Sequence, residues 1–412
     1  MSSPSPSEKA VVITGLGAFT PAGPSVASLW KAVTTGETYA QWRALQGDED
    51  ARVPVCPAPD PELQADELRR LRRMDRSVQF AGAAAWEAWN DAGLNTVVVQ
   101  PERVAVLAGT SRGPIGTIIN SQAAYDSGER LRPSVAPNST IGCLSGSLST
   151  VFGARGPCLT ISAACISGAA ALTLAAQQIQ AGMADFAIAG GAEAPLQELA
   201  LAQLQSSRVL AVHEDPRVAC RPFDRERNGT VIGEGAGFLV LESLASARKR
   251  GARIHAHFSG WALGSEGSER TGIGEDSECL RRNMRAALLM AQVSAEELDY
   301  INAHGTGTDL NDRMEARAIS ELARANRRLA TSSTKAVTGH CLGATAAIEA
   351  IISVMALENG CLPPSTNCFE QADDCPVDLI LGEPRSSSVG AVLSNSAAFW
   401  GKNASLVFTA AA

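Results

Sequence analysis

No Cys-x-x-C pair occurs among the 10 cysteines of this 412-residue chain, which argues against a structural zinc site. No run approaches the roughly 20 uninterrupted apolar residues of a membrane span, so no membrane partner is expected. Residues 1–10 are Ser/Pro-rich, without an apolar signal core, and read as a disordered tail. Without a signal segment, the cysteines point to a reducing cytoplasm and to mostly buried free thiols. Positive charge is short: 35 Lys and Arg against 43 Asp and Glu give a net charge of −8, which argues against a nucleic-acid binder. Histidine is scarce, at 5 residues, so two of them in glycine- and threonine-rich segments stand out.

What remains is a chain 45% hydrophobic and 19% charged with 37 glycines, the composition of a globular α/β protein with a large core. Residues 11–17, 104–109 and 186–191 are short apolar runs ending in glycine, each read as a buried strand. Residues 161–182 are nearly all apolar or small, and 343–360 repeat that pattern. A helix apolar all round is buried on every side. Residues 390–394 and 404–408 read as paired strands. Two halves, each with short buried strands and one central Ala/Gly-rich helix, suggest a duplicated α/β unit. The expected architecture is a five-layer αβαβα sandwich with both central helices in the middle layer. The expected division is 11–252 and 253–412, joined near 250–256, after a charged helix at 243–250.

Cys165 sits in Ala-Ala-Cys-Ile-Ser-Gly, where a strand-like run turns into the first buried helix. Backbone N–H groups and the positive helix end there are expected to lower a thiol pKa and to hold an oxyanion. A lone cysteine in an Ala-rich helix is ordinarily a packed core thiol; the downstream residues reverse that reading. His304 lies in Asn-Ala-His-Gly-Thr-Gly-Thr, and His340 ends Ser-Ser-Thr-Lys-Ala-Val-Thr-Gly-His. Two neutral imidazoles each donating an N–H to one thioester oxygen would stabilise an enolate. A metal reading of His304, His340 and Cys341 lacks a third ligand at regular spacing. Lys335, five residues before His340, is expected to depress the imidazole pKa. Glu349 lies among Ala347, Ile348, Ala350 and Ile351, where a carboxylate needs a partner, and Lys335 is the one expected.

These residues resemble the β-ketoacyl-acyl-carrier-protein synthases, decarboxylating condensing enzymes with a Cys-His-His set. The resemblance extends through residues 220–229 (Cys-Arg-Pro-Phe-Asp-Arg-Glu-Arg-Asn-Gly), 233–237 (Gly-Glu-Gly-Ala-Gly), Asn395-Ser396 and 403–406. It implies the thiolase-type fold, a homodimer or a heterodimer with a related subunit, and no cofactor beyond the phosphopantetheine arm of an acyl carrier protein. It implies Cys165 as nucleophile, His304 and His340 as decarboxylation and enolate residues, and Lys335 with Glu349 as the supporting pair. The backbone N–H groups of Cys165 and Phe399 would form the oxyanion hole. Two histidines favour the elongating branch over the CoA-primed branch, whose set is His and Asn. Thr306, Thr308 and Thr271 would face substrate, and Arg112 falls near the usual end of the acyl pocket. Arg69, Arg72 and Arg73, in a basic run before Met74-Asp75, match positions that dock the acidic carrier; Arg208 matches another.

The pattern breaks at the gate. The usual Asn-Ser-Phe-Gly-Phe-Gly-Gly reads Asn395-Ser-Ala-Ala-Phe-Trp-Gly401 here. Phe399 survives, while Ala397, Ala398 and Trp400 replace a phenylalanine and two glycines, which should restrict positive φ and loop swing. The loop 265–271, Ser-Glu-Gly-Ser-Glu-Arg-Thr, also lacks the usual Asp and His. These changes favour a specialised fatty-acid-like or polyketide pathway. Two other readings stand beside the condensing enzyme: a non-catalytic subunit that sets chain length in a heterodimer, and a non-decarboxylating acyltransferase on the same fold.

Overall fold

The computed structural model describes residues 10–45, 48–267, 277–324, 326 and 329–411; residues 1–9 of the expected tail lie outside them. Ten strands of an 11-stranded sheet carry the architecture, and the eleventh, Asp378–Leu379, adds to one edge. The first half contributes β1 (Val11–Phe19), β2 (Val104–Gly109), β3 (Cys158–Ile161), β4 (Phe186–Glu193) and β5 (Gly235–Ser243). The second contributes β6 (Ala256–Ser265), β7 (Tyr300–Asn302), β8 (Ala330–Ser332), β9 (Ala391–Ala398) and β10 (Lys402–Ala410).

Both halves use one permuted order, β3-β2-β4-β5-β1 and β8-β7-β9-β10-β6. In each, the first three strands are parallel, and the fourth and fifth run antiparallel to their neighbours. Repetition of so particular an order is the signature of a duplicated unit. The halves join where β1 meets β6 antiparallel, with Val12 opposite His257 and Ile13 opposite Ala256.

Helix α1 (Arg76–Asp91) covers the outer face of the first half against β1, β4 and β5, and α3 (Glu278–Ala291) covers the second against β6 and β10. Between the two halves of the sheet lie α2 (Ser167–Gln180) and α5 (Thr345–Asn359), which touch each other and strands of both halves. Helix α4 (Asp309–Leu322) packs on α3. This is the thiolase-type αβαβα sandwich. Small residues make the middle layer possible: a Cβ on Gly168 would lie 3.0 Å from the Ala347 nitrogen and 3.1 Å from the Gly343 oxygen. Such close approach supplies by dispersion what short side chains lack in apolar area. The run Leu342–Asn359 is long and apolar enough to cross a membrane by composition alone, but 83% of it is buried inside the fold, as a core helix should be.

The elements differ from the sequence expectation mainly at their ends. β1 continues past Gly17 to Phe19 because β5 pairs it that far, Ala18 with Gly237 and Phe19 with Ala236. The second central helix opens with a 3₁₀ turn at Leu342–Ala344 before α5 begins. The basic run before Met74 folds as a 3₁₀ helix, Asp66–Arg73, with Leu68 and Leu71 inward and its arginines outward.

Candidate active site

Past β3 the chain turns sharply, with Ala164 in the left-handed region at φ 52°. The Ser167 hydroxyl closes this turn: Oγ accepts from the Ala163 N–H (2.8 Å) and donates to the Ala164 carbonyl (2.6 Å). The turn buries Cys165 two residues before α2 begins. Its Sγ lies 3.2 Å from His340 Nε2, and His340 Nδ1 is 3.0 Å from Oγ1 of Thr345, the first residue of α5.

His304 follows β7 in the Gly/Thr loop. Its backbone N–H and that of Gly305 donate to the two oxygens of Glu315, each at 2.8 Å. Asp312 accepts from the N–H groups of Thr306 (2.9 Å), Gly307 (3.1 Å) and Phe223 (2.8 Å). Asp312 and Glu315 thus clamp the loop from the first two turns of α4. The His304 ring stands edge-on to that of His340, with centroids 5.3 Å apart at 84°. His304 Nδ1 is buried with no hydrogen-bond partner among the described residues. Lys335 Nζ donates to the His304 carbonyl and to Glu349 Oε1, the latter at 2.5 Å, with both side chains fully buried. One ammonium therefore ties the His304 loop, the His340 turn and α5 together, and the expected Lys335–Glu349 pair forms.

Burial pushes both imidazoles well below their ordinary pKa; the Lys335 charge adds to this, as does His340 in the case of His304. Both rings are neutral at pH 7. Burial lifts the Glu349 carboxyl to about 7 against the opposing pull of Lys335. Against the expectation of a lowered thiol pKa, burial pushes Cys165 up to about 12, with Lys335 opposing the rise and Glu193 adding to it.

Cys165, His304, His340, Thr306, Thr308 and Phe399 line one cavity of about 240 Å³. Thr306 and Thr308 share a hydrogen bond of 2.8 Å, and exposed Arg208 reaches the same cavity. A larger groove of about 1010 Å³, between α1 and residues 59–68, holds none of these residues. Arg112 is not among the residues lining this cavity, and its Nη1 donates to Gln203 Oε1 at 2.6 Å. Thr271 lies outside the described residues. Trp400 takes up the left-handed conformation a glycine would favour, at φ 67°, with the residue 61% exposed. Arg69 pairs with Asp66 (3.0 Å), Arg72 donates to the Leu63 carbonyl (2.7 Å), and Arg73 is exposed.

Sequence reasoning missed Glu193, Asp312 and Glu315, all fully buried. The spacing of Asp312 and Glu315 on one face just after the glycine-rich loop was the available signal. For Glu193 it was a carboxylate closing an apolar strand.

A family model for the N-terminal domain of β-ketoacyl synthases matches residues 8–247, and one for the C-terminal domain matches residues 255–369. The chain belongs to the β-ketoacyl synthase family. The chain is 36% identical over 411 residues to a 3-oxoacyl-[acyl-carrier-protein] synthase 2 of Coxiella burnetii, covering 98% of this chain and 99% of that one. A protein of the same description from Staphylococcus aureus is 35% identical over 405 residues, covering 97% and 98%. Among solved structures, the ishigamide ketosynthase/chain length factor superposes with a TM-score of 0.88 at 31% identity, covering 98% and 99%. A type II PKS ketosynthase solved with its acyl-carrier protein and bound hexaketide gives 0.89 at 27% identity, with the same coverage. Members of this family are condensing acyltransferases, and this β-ketoacyl synthase is one of them.

Proposed function

We propose that this chain elongates an acyl thioester by decarboxylative Claisen condensation with malonyl-acyl-carrier protein. The observation that carries the reading is the Cys165 Sγ–His340 Nε2 approach of 3.2 Å beside the perpendicular His304 ring. Cys165 exchanges its thiol proton for an acyl group, releasing the carrier thiol. The C–C bond to the malonyl carboxylate then breaks and CO2 leaves. Its electron pair becomes an enolate whose oxygen takes N–H donation from His304 and His340, neutral as burial requires. For His340 this needs the Thr345 hydroxyl to donate to Nδ1, leaving the proton on Nε2. The enolate carbon attacks the Cys165 thioester carbonyl, whose oxygen is held by the N–H groups of Cys165 and Phe399. The thiolate departs and is reprotonated, leaving a β-ketoacyl chain two carbons longer on the carrier. Lys335 and Glu349 hold the two histidine segments in register, and Thr306 and Thr308 face the malonyl unit.

Residues 11–252 bring the nucleophile, and residues 253–412 bring the imidazoles. Arg69, Arg72, Arg73 and Arg208 receive an acidic carrier, which delivers the phosphopantetheine arm; no other cofactor enters. The enzyme works in the cytoplasm as a homodimer or beside a related subunit. A chain-length-setting role is the second reading, favoured by the likeness to ketosynthase/chain length factor pairs. The intact, positioned Cys165 weighs against it.

Intact-protein mass spectrometry with a panel of acyl-carrier proteins, before and after malonyl-carrier protein, tests the choice. A Cys165 adduct discharged by malonyl-carrier protein as a two-carbon-longer product supports condensation. An adduct that persists points to a non-decarboxylating acyltransferase, and no adduct points to a partner subunit.

A further inference from the structure

The loop after β2 and the turn before α5 meet on one carboxylate. Glu193 ends β4, fully buried. Its Oε1 accepts from the Thr110 hydroxyl (3.1 Å) and the Arg112 N–H (2.9 Å). Its Oε2 accepts from the Ser111 N–H (2.6 Å) and, from the other half of the chain, the Gly343 N–H (2.9 Å). Position 343 has no room for a side chain: a Cβ there would sit 2.4 Å from the Ser111 nitrogen and 2.6 Å from Glu193 Oε2.

Each end of this lock leads to a reacting side chain. The Thr110 carbonyl lies 3.2 Å from Ser167 Oγ, the hydroxyl that closes the Cys165 turn. Gly343 lies between His340 and Thr345, which holds the His340 ring. An apolar side chain at this place would avoid the cost of burying a carboxylate. Burial lifts Glu193 to about 7, while the four donors pull it back. Its charge bears on the Cys165 and Cys341 thiols, raising both, whereas Arg112 and Lys335 act on Cys165 with the opposite sign.

We propose that Glu193 is a positioning residue that locks the Thr110–Arg112 loop to the Gly343 turn, and so aligns Cys165 from one half with His340 from the other. Because Thr110 touches both this carboxylate and the Ser167 hydroxyl of the Cys165 turn, the negative charge also opposes ionisation of the Cys165 thiol. The effect on acyl loading rests on the condensing reading above; the effect on the thiol does not.

The test is the pH profile of Cys165 alkylation by iodoacetamide, read by peptide mass spectrometry on wild type and Glu193→Gln, with acyl loading measured beside it. Glutamine keeps the shape, removes the charge and turns an amide NH2 toward the donors. The expected result is a rise in alkylation displaced by roughly one unit to lower pH, about tenfold faster at pH 8, with loading at least about tenfold slower. A residue that merely fills space would leave the profile in place, and an undisplaced profile overturns the proposal. Should Glu193→Gln fail to fold, Thr110→Val removes one donor and keeps the charge. Loading slowed severalfold then supports the lock, and wild-type loading overturns it. Wild type that alkylates at Cys165 yet never loads would defeat the condensing reading while leaving the alkylation test of Glu193 intact.

Discussion

Cys165 and His340 stand 175 positions apart in the chain and 3.2 Å apart in space, each delivered by a different half of the duplicated fold. The pair exists only where the two middle-layer helices begin side by side, so its chemistry is sensitive to anything that shifts one half against the other.

Acyl loading and condensation should respond to different residues. Cys165→Ala is expected to abolish acyl adducts with the melting temperature unchanged within a few degrees. His304→Ala should leave loading within about twofold and reduce condensation by 100-fold or more, the scale of one lost oxyanion donor. Product formation at the wild-type rate in His304→Ala would remove His304 from the enolate.

Malonyl decarboxylation should stay level from pH 8 down to pH 6. Both imidazoles are held well below their ordinary pKa, chiefly by burial, and so keep their neutral form through that range. A rate lost between pH 7 and 6 that persists in Glu193→Gln and Glu349→Gln, whose carboxyls titrate at about 7 in the wild type, would mean that at least one ring titrates normally.

Lys335 sits between two buried acceptors. Lys335→Met strands Glu349 in an apolar layer and is expected to cost about 3–5 kcal/mol. Adding Glu349→Leu should recover part of that stability in denaturant melts while activity stays lost. No recovery in the double variant would mean that Lys335 stabilises chiefly through the His304 carbonyl.

A second buried cluster ties the halves away from the site. His255 bridges Asp91 on α1 (2.8 Å) and Glu358 on α5 (2.8 Å). Burial alone would lower its pKa, but the two carboxylates raise it to about 9. A raised folded-state pKa stabilises fully below the unfolded value near 6.5 and is lost as pH climbs through 9. Up to about 3 kcal/mol should disappear over that window. Wild type should therefore melt progressively lower from pH 6.5 to 9, and His255→Gln should show a flatter dependence. Parallel curves for the two proteins would count against the bridge.

At the gate, Trp400 holds φ 67°, a conformation costing a non-glycine residue roughly 1 kcal/mol or more. Trp400→Gly should relieve that strain, and with Ala398→Gly should speed exchange of acyl and malonyl units severalfold across donors. Unchanged kinetics over several chain lengths would make the substitutions neutral.

Much of this site is legible in one dimension because its chemistry is local. Cys165, His304, Lys335 and His340 each sit in a short segment whose glycines, threonines and small residues suit no ordinary core. The two central helices announce themselves by being apolar all round. Glu193, Asp312 and Glu315 were harder to read, since a carboxylate that satisfies backbone donors from distant loops leaves no pattern in its own neighbourhood.

The sequence by itself determined the residue types, the duplicated strand–helix plan and the family. Tertiary structure alone decided that Cys165 is desolvated, that Arg112 pairs with Gln203, and that Trp400 adopts a glycine's backbone. Periodicity and motif spacing act along the chain. Desolvation, long-range hydrogen bonding and backbone strain depend on what the folded neighbours take away or supply.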